Sequence, residues 1–383
     1  MTIFILTAHL TKGTIESYYT GKNMKCLNLA LIILAVLFPA KNAYCQTAIP
    51  AQDEIEKLKA LFESAHSFDD IFAFNRQIKF KTEELVGEIS QVEANSKGDF
   101  LIFDRPSKNI LLFDNDGKLI KILGIEKSYP GIKWDPLGAW FSQDNKILIQ
   151  IRKTQNLFLF DSSGEFLQSI PSYFPPEYKD FVMSREGAIY GYAIHAATPA
   201  LKKLDLTGEV IAEGGVFEEP FIEFIQRSSG GGIEIDGKGN IFQINSSGPE
   251  LYKHSSNLKN TVTIKRKPGH YKQINTQIPK YAKNPAGFIN SMNKILYSST
   301  LSYSIHLYKG TFLIIQYVRP GIKNGIYLDI CDLEGTYYTN RTINYGVSIN
   351  AVYNNFVYKK FQPGKNANGE LPNPVLREYK LKH

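Results

Sequence analysis

A hairpin turn of the form Asp-x-x-Gly recurs along this chain, and its spacing constrains the fold before any chemistry is sought. Residues 100–120 read FLIFDRPSKNILLFDNDGKLI, two short apolar strands and two turns. Echoes of the second half lie at 157–170 (LFLFDSSGEFLQSI), 201–214 (LKKLDLTGEVIAEG), 251–264 (LYKHSSNLKNTVTI) and 327–340 (YLDICDLEGTYYTN). REYKL at 377–381 is a truncated sixth copy. From Asp114 through Asp161, Asp205 and His254 to Asp332 the intervals are 47, 44, 49 and 78 residues, and a further 47 reach Tyr379. A four-stranded propeller blade takes roughly 40–50 residues, so the long interval is a blade plus an insertion at about 268–298.

An earlier tight turn precedes most copies, as at Ser96-Lys97-Gly98, Gln143-Asp144-Asn145, Arg185-Glu186-Gly187 and Asp236-Gly237-Lys238-Gly239. Each unit therefore reads strand, tight turn, strand, longer loop, strand, tight turn, strand. Gly, Asn and Asp punctuate it because hairpin turns need positive φ, and the flanking strands alternate Ile, Leu, Val, Phe and Tyr as stacked sheets require. The predicted fold is all-β: a six-bladed β-propeller of four-stranded antiparallel blades over residues 71–383. The sixth copy ends with too few residues for a fourth strand. IFAFNRQIKF at 71–80 has strand composition and is expected to supply it, closing the ring and removing its open edges. Before it, DEIEKLKALFESA at 53–65 carries Ile55, Leu58, Leu61 and Phe62 at helical spacing, so 46–70 reads as a linker and a short amphipathic helix.

Residues 1–45 read as a leader. Lys22 and Lys25 precede an apolar run, Cys26 to Phe38, too short to span a bilayer, and Ala43 and Cys45 form a small-x-small cleavage site before Gln46. Met24 is a candidate true start. The chain is thus expected to be secreted to the periplasm or cell exterior, with no permanent transmembrane segment; lipid anchoring at Cys45 is disfavoured by the Asn-Ala-Tyr that precedes it. Loss of the leader leaves Cys331 as the single cysteine, read as a buried small hydrophobe, so a packed core and no disulfide must stabilise the fold. It also lowers the net charge from +7 to about +4, since four lysines and one glutamate go. That is an ordinary solubility charge and gives no nucleic-acid signature.

The period also sorts residues by face. Seven to nine residues past each first turn, where the second strand enters the longer loop, stand Arg105, Arg152, His195, Asn245 and Arg319, with Lys359 and Lys360 near the equivalent place in blade six. Such a basic rim would focus negative potential and hold carboxylates or sulfates through guanidinium forks. The connection at 128–140 carries both tryptophans: Trp140 is expected to pack between blades, while Trp134 either caps a core or offers a platform to a ligand. Glu93, Glu234 and Asn350 fall near first-strand positions and are candidates to line the channel. No hydrolase, nucleotide or metal motif is present, and no cofactor or metal is implied.

The repeats G-x-[IL]-x-[IV], followed by [FL]-D-x-x-G, carried by Gly98, Asp114, Gly117, Asp161, Gly164, Gly187, Asp205, Gly208, Gly239, Asp332 and Gly335, resemble NHL-type repeats. More closely, the chain resembles the secreted six-bladed propellers of Bacteroidetes. That resemblance implies a cell-envelope setting and a binding role and carries over no catalytic residue. Two departures stand out: the Gly-Pro-Gly-rich linkers of such relatives are replaced by SYPGIKWDPLG and GGVFEEPF, and the fourth copy reads HSSN at 254–257 without the turn glycine. The leading expectation is a module binding a glycan, peptide or other anionic small molecule at the face bearing the loops between second and third strands. A propeller lyase or hydrolase on the same ligands and an envelope protein scaffold are the alternatives.

Overall fold

The computed structural model describes residues 52–83, 86–125, 128–152, 154, 156–172, 178–193, 199–217, 230–246, 248–265, 301–318, 326–336, 343–344 and 348–382. These belong to the compact unit Thr47–His383. The leader and the 268–298 insertion lie outside the described residues.

Six antiparallel four-stranded sheets form a six-bladed propeller. Blade one contains β2 (Ile89–Ala94), β3 (Phe100–Asp104), β4 (Asn109–Phe113) and β5 (Leu119–Leu123). Blade two contains β6 (Pro136–Phe141), β7 (Ile147–Ile151), β8 (Asn156–Phe160) and β9 (Phe166–Pro171), and blade three β10 (Tyr178–Met183), β11 (Ile189–Ala193), β12 (Leu201–Leu204) and β13 (Val210–Gly214). Blade four runs through β14 (Gly232–Ile235), β15 (Ile241–Ile244), β16 (Leu251–His254) and β17 (Thr261–Ile264), and blade five through β18 (Leu301–Tyr308), β19 (Phe312–Val318), β20 (Ile326–Asp332) and β21 (Ile343–Asn344). In blade six, β22 (Ala351–Tyr353), β23 (Phe356–Phe361) and β24 (Val375–Leu381) are completed by the N-terminal β1 (Phe72–Lys79). β1 pairs antiparallel with β24 from Phe72↔Leu381 to Lys79↔Val375, as the missing fourth strand of the sixth copy requires.

The turns that announce the blades are built alike. In blade one the Asp114 carboxylate accepts from the Asp116 and Lys118 amides (3.0 and 2.8 Å), and the Gly117 amide returns to the Asp114 carbonyl. Asp161, Asp205 and Asp332 repeat the pattern. Such turns fix a left-handed residue at the fourth position. The glycine there has a second duty: it lies against the outer strand of the preceding blade. At Gly208 (φ +90°) an added Cβ would sit 1.7 Å from the Pro171 carbonyl oxygen at the end of β9. Gly117 approaches the Lys79 carbonyl of β1 in the same way, and Gly335 lies against the Ile264 side chain of β17. The fourth copy solves the problem in reverse. Leu258 takes the left-handed position (φ +58°), and the facing strand supplies Gly214, where a Cβ would meet the Leu258 carbonyl at 2.9 Å.

Hydrophobic packing follows the same plan. Six clusters of buried side chains each span two neighbouring blades, for example Leu101, Ile110 and Leu112 of blade one with Ala139, Ile147 and Phe158 of blade two. The wedge between blades five and six is sealed by α1 (Gln52–Ser64) and α2 (Phe68–Ile71). Leu58 and Phe62 of α1 are buried there, Phe62 edge-on to Phe312 at 5.3 Å, and Glu54 pairs with the buried Lys309. Cys331 is fully buried in β20.

Gly208→Ala is therefore expected to destabilise by more than about 2 kcal/mol, because the new methyl meets backbone as well as an unfavourable φ. Gly369→Ala has a similar φ (+80°) but open space around it, so it is expected to cost only about 1 kcal/mol. Chemical denaturation of the two variants measures the difference; equal losses would mean that the close approach is not what constrains the turn.

Candidate functional site

The inner strands β2, β6, β10, β14, β18 and β22 succeed one another around the ring. They are stitched together by polar side chains. Gln91 of β2 clasps the peptide of Ala139 on β6, its amide nitrogen donating to the carbonyl (2.8 Å) and its oxygen accepting from the N–H (3.1 Å). Trp140 of β6 donates its indole N–H to Asp180 of β10 (3.0 Å), and Asp180 accepts from the Ile233 amide of β14 (2.9 Å). Glu234 of β14 accepts from the Leu307 amide of β18. Burial pushes Glu93 and Glu234 up to about 8 and Asp180 up to about 6; Glu234 is raised further by the Asp180 and Glu93 charges. Glu93 of β2 and Glu234 of β14 thus lie within electrostatic reach of one another. Among the described residues no three His, Cys, Asp or Glu side chains come together as metal ligands.

Beside this inner ring a cavity of about 640 Å³ opens over blades one to three. Its lining includes Arg105 and Lys108 from the loop after β3, Arg152 from the end of β7, Asp135 and Pro136 at the start of β6, Lys179 and Asp180 of β10, and the rings of Phe103 and Trp140. Loops between second and third strands therefore bring Arg105 and Arg152 to one site. The Asp135 carboxylate stands between two cations, receiving Lys108 Nζ on Oδ1 at 2.7 Å and Arg152 Nε on Oδ2 at 3.3 Å, and these charges hold its pKa below the usual range. Lys179 is solvent-accessible, yet the protein crowding its ammonium lowers its pKa. The exposed Arg105 guanidinium has no hydrogen bond or ion pair to any described residue.

Other rim positions have different surroundings. Asn245 is completely buried: its Nδ2 donates to the Val216 carbonyl (3.0 Å), and its Oδ1 accepts from Gln243 (2.8 Å) and the Tyr192 hydroxyl (3.2 Å). A short amide one residue beyond β15 turns inward to satisfy backbone where a longer arginine would reach outward. Trp134 does not line the cavity; its indole donates to the Lys108 carbonyl (3.0 Å) and straps the first loop to the connection before β6. Trp140 packs between blades two and three, with Phe181 at 4.8 Å. Lys360 donates to the Ile89 carbonyl across the closing seam, Lys359 is buried over the Phe68 ring at 4.3 Å, and Asn350 accepts from the Lys360 amide. His195 and Arg319 lie outside the described residues. His254 and His306 are interior, and burial lowers both to about 4.

Lys108, Asp135, Lys179 and Asp180 are site residues that the period alone does not find. Lys108 occupies a left-handed turn position (φ +60°), Asp135 stands in a connection, and Lys179 and Asp180 belong to a first strand rather than a rim loop.

No protein-family model matches the chain, and no curated protein is significantly similar to it. Solved structures are similar in fold. A Bacteroides fragilis protein whose name describes it as exported superposes with TM-score 0.56 at 13% identity, over 83% of this chain and 97% of its own. A Bacteroides vulgatus member of the DUF4221 family superposes with TM-score 0.53 at 14% identity, over 82% and 98%. At such identities the likeness concerns the fold alone.

The channel acids give a pH signature. Glu93 and Glu234 ionise near pH 4.5 when unfolded but near 8 when folded, so the folded chain holds extra protons between these values and stability falls as pH rises. The buried histidines act in the opposite sense, but only between about 4 and 6.5. Denaturation midpoints are therefore expected to fall from about pH 6.5 to 8, and Glu234→Gln to flatten that fall. A wild-type stability that is level or rising across this window would contradict the assignment.

Proposed function

We propose that the chain is an exported binding protein with NHL-like repeats, whose ring holds a small anionic ligand, a glycan fragment or peptide, in the cleft over blades one to three. The observation that carries this reading is the convergence of Arg105, Lys108, Arg152 and Lys179 on one cavity against only two carboxylates, Asp135 and Asp180. About 640 Å³ suits a ligand of one or two sugar units or a short peptide, within the usual range for small-molecule sites. Guanidinium forks recognise carboxylate and sulfate, and their low-dielectric walls strengthen the attraction. Phe103 and Trp140 add apolar surface for a sugar face or a side chain.

Export is supported by the leader and by likeness in fold to the exported Bacteroides chain. No helix among the described residues is long and apolar enough to cross a membrane. A binding role is favoured over turnover by the engagement of the cleft's acids. Asp135 is paired with two cations, and Asp180 accepts from Trp140, Phe181 and Ile233. Each is therefore occupied in holding the scaffold.

Titration calorimetry with glucuronate and with inorganic sulfate tests the reading. Arg105→Ala and Arg152→Ala are each expected to weaken binding about tenfold, about 1.4 kcal/mol, while Lys97→Ala, in a first-strand turn, leaves it unchanged. Undiminished affinity in both arginine variants, or no binding of either probe at millimolar concentration, would refute it.

A further inference from the structure

The four cations of the cleft are not equivalent, and the difference defines what the cleft can accept. Lys108 and Arg152 already share a carboxylate, each taking a different oxygen of Asp135. That carboxylate is only 10% exposed, and its place is fixed by backbone as well, since the Arg152 amide donates to the Asp135 carbonyl at 3.0 Å. The Trp134 strap holds the preceding residue to the Lys108 carbonyl. Lys179 neighbours Asp180, whose oxygens are committed to Trp140, Phe181 and Ile233. Arg105 alone presents an exposed fork without a partner among the described residues.

We propose that Asp135 is a specificity-determining residue, an internal counter-anion that restricts the cleft to ligands bearing a single anionic group, seated on Arg105. This deepens the binding function proposed above and rests on it. A second anion reaching toward Lys108 and Arg152 meets a carboxylate that already occupies both and cannot leave, because it is buried and its own peptide is hydrogen-bonded. Like-charge repulsion then offsets whatever the second anion gains from the two cations. The ligand class is thus a molecule with one anionic group whose remaining polar groups are neutral, such as a uronic acid or the C-terminal end of an uncharged peptide. Ligands carrying two or more separate anionic groups are disfavoured.

Glucuronate and glucarate provide the test, because they share a six-carbon polyol skeleton but carry one and two carboxylates. In the wild-type protein glucarate is expected to bind no more tightly than glucuronate. Asp135→Asn keeps an acceptor for one of the cations and removes the negative charge; it is expected to shift the glucarate-to-glucuronate affinity ratio at least tenfold toward glucarate. Arg105→Ala should weaken both probes alike. A wild-type preference for glucarate of tenfold or more would overturn the proposal without any variant having to fold. A ratio unchanged in Asp135→Asn would do so too, while leaving the binding function standing if glucuronate still binds through Arg105. Failure of wild-type protein to bind either probe would remove the binding function, and this inference with it.

Discussion

The structure depends on the docking of each third-to-fourth-strand turn against the outer strand of the blade before it. The turn is rigid because one Asp side chain accepts two backbone amides, and it can approach closely because its fourth residue has no Cβ. Repeated along the chain, the contact sets the step from blade to blade. Where the pattern breaks, at Leu258, the missing space reappears across the contact as Gly214. That exchange shows that the constraint belongs to the interface and not to the turn alone. At the seam the same geometry recruits β1, where Gly117 meets Lys79 and the Lys81 amide donates to the Gly117 carbonyl at 2.7 Å.

A ring of fixed step places equivalent positions on a common rim, and this is why the sequence period is informative about a site. It located Arg105 and Arg152, which the structure brings to one cavity, because both follow a second strand and both are long enough to reach beyond it. It could not tell that Asn245, at the same phase, would turn inward. A short amide reaches nearby carbonyls, whereas an arginine there would have to find solvent or an acid. Nor does the period find Asp135 and Asp180. Their importance comes from neighbours in other blades, Arg152 and Lys108 for one, Trp140 and Ile233 for the other. The fold was legible because one local rule is repeated; the site was half legible because it is assembled from unrepeated residues placed by that rule.

The inner ring joins stability to the site. Gln91, Trp140, Asp180 and Glu234 link four successive inner-strand boundaries through side chains, and three of them, Gln91, Trp140 and Asp180, also line the cleft. Glu93 and Glu234 are tolerated because desolvation keeps them largely protonated at neutral pH, so they act as hydrogen-bonding groups more than as charges. Against the Asp135 and Asp180 carboxylates the cleft itself sets four cations. Of these, Asp135 satisfies two and leaves Arg105 as the free fork.

A crystal structure of the protein with selenate, located by its anomalous scattering, would test the central claim most directly. The account predicts an anion bound to the Arg105 guanidinium within the cleft, with the Asp135 pairs to Lys108 and Arg152 intact. Selenate bound elsewhere on the protein, with the cleft unoccupied, would contradict it.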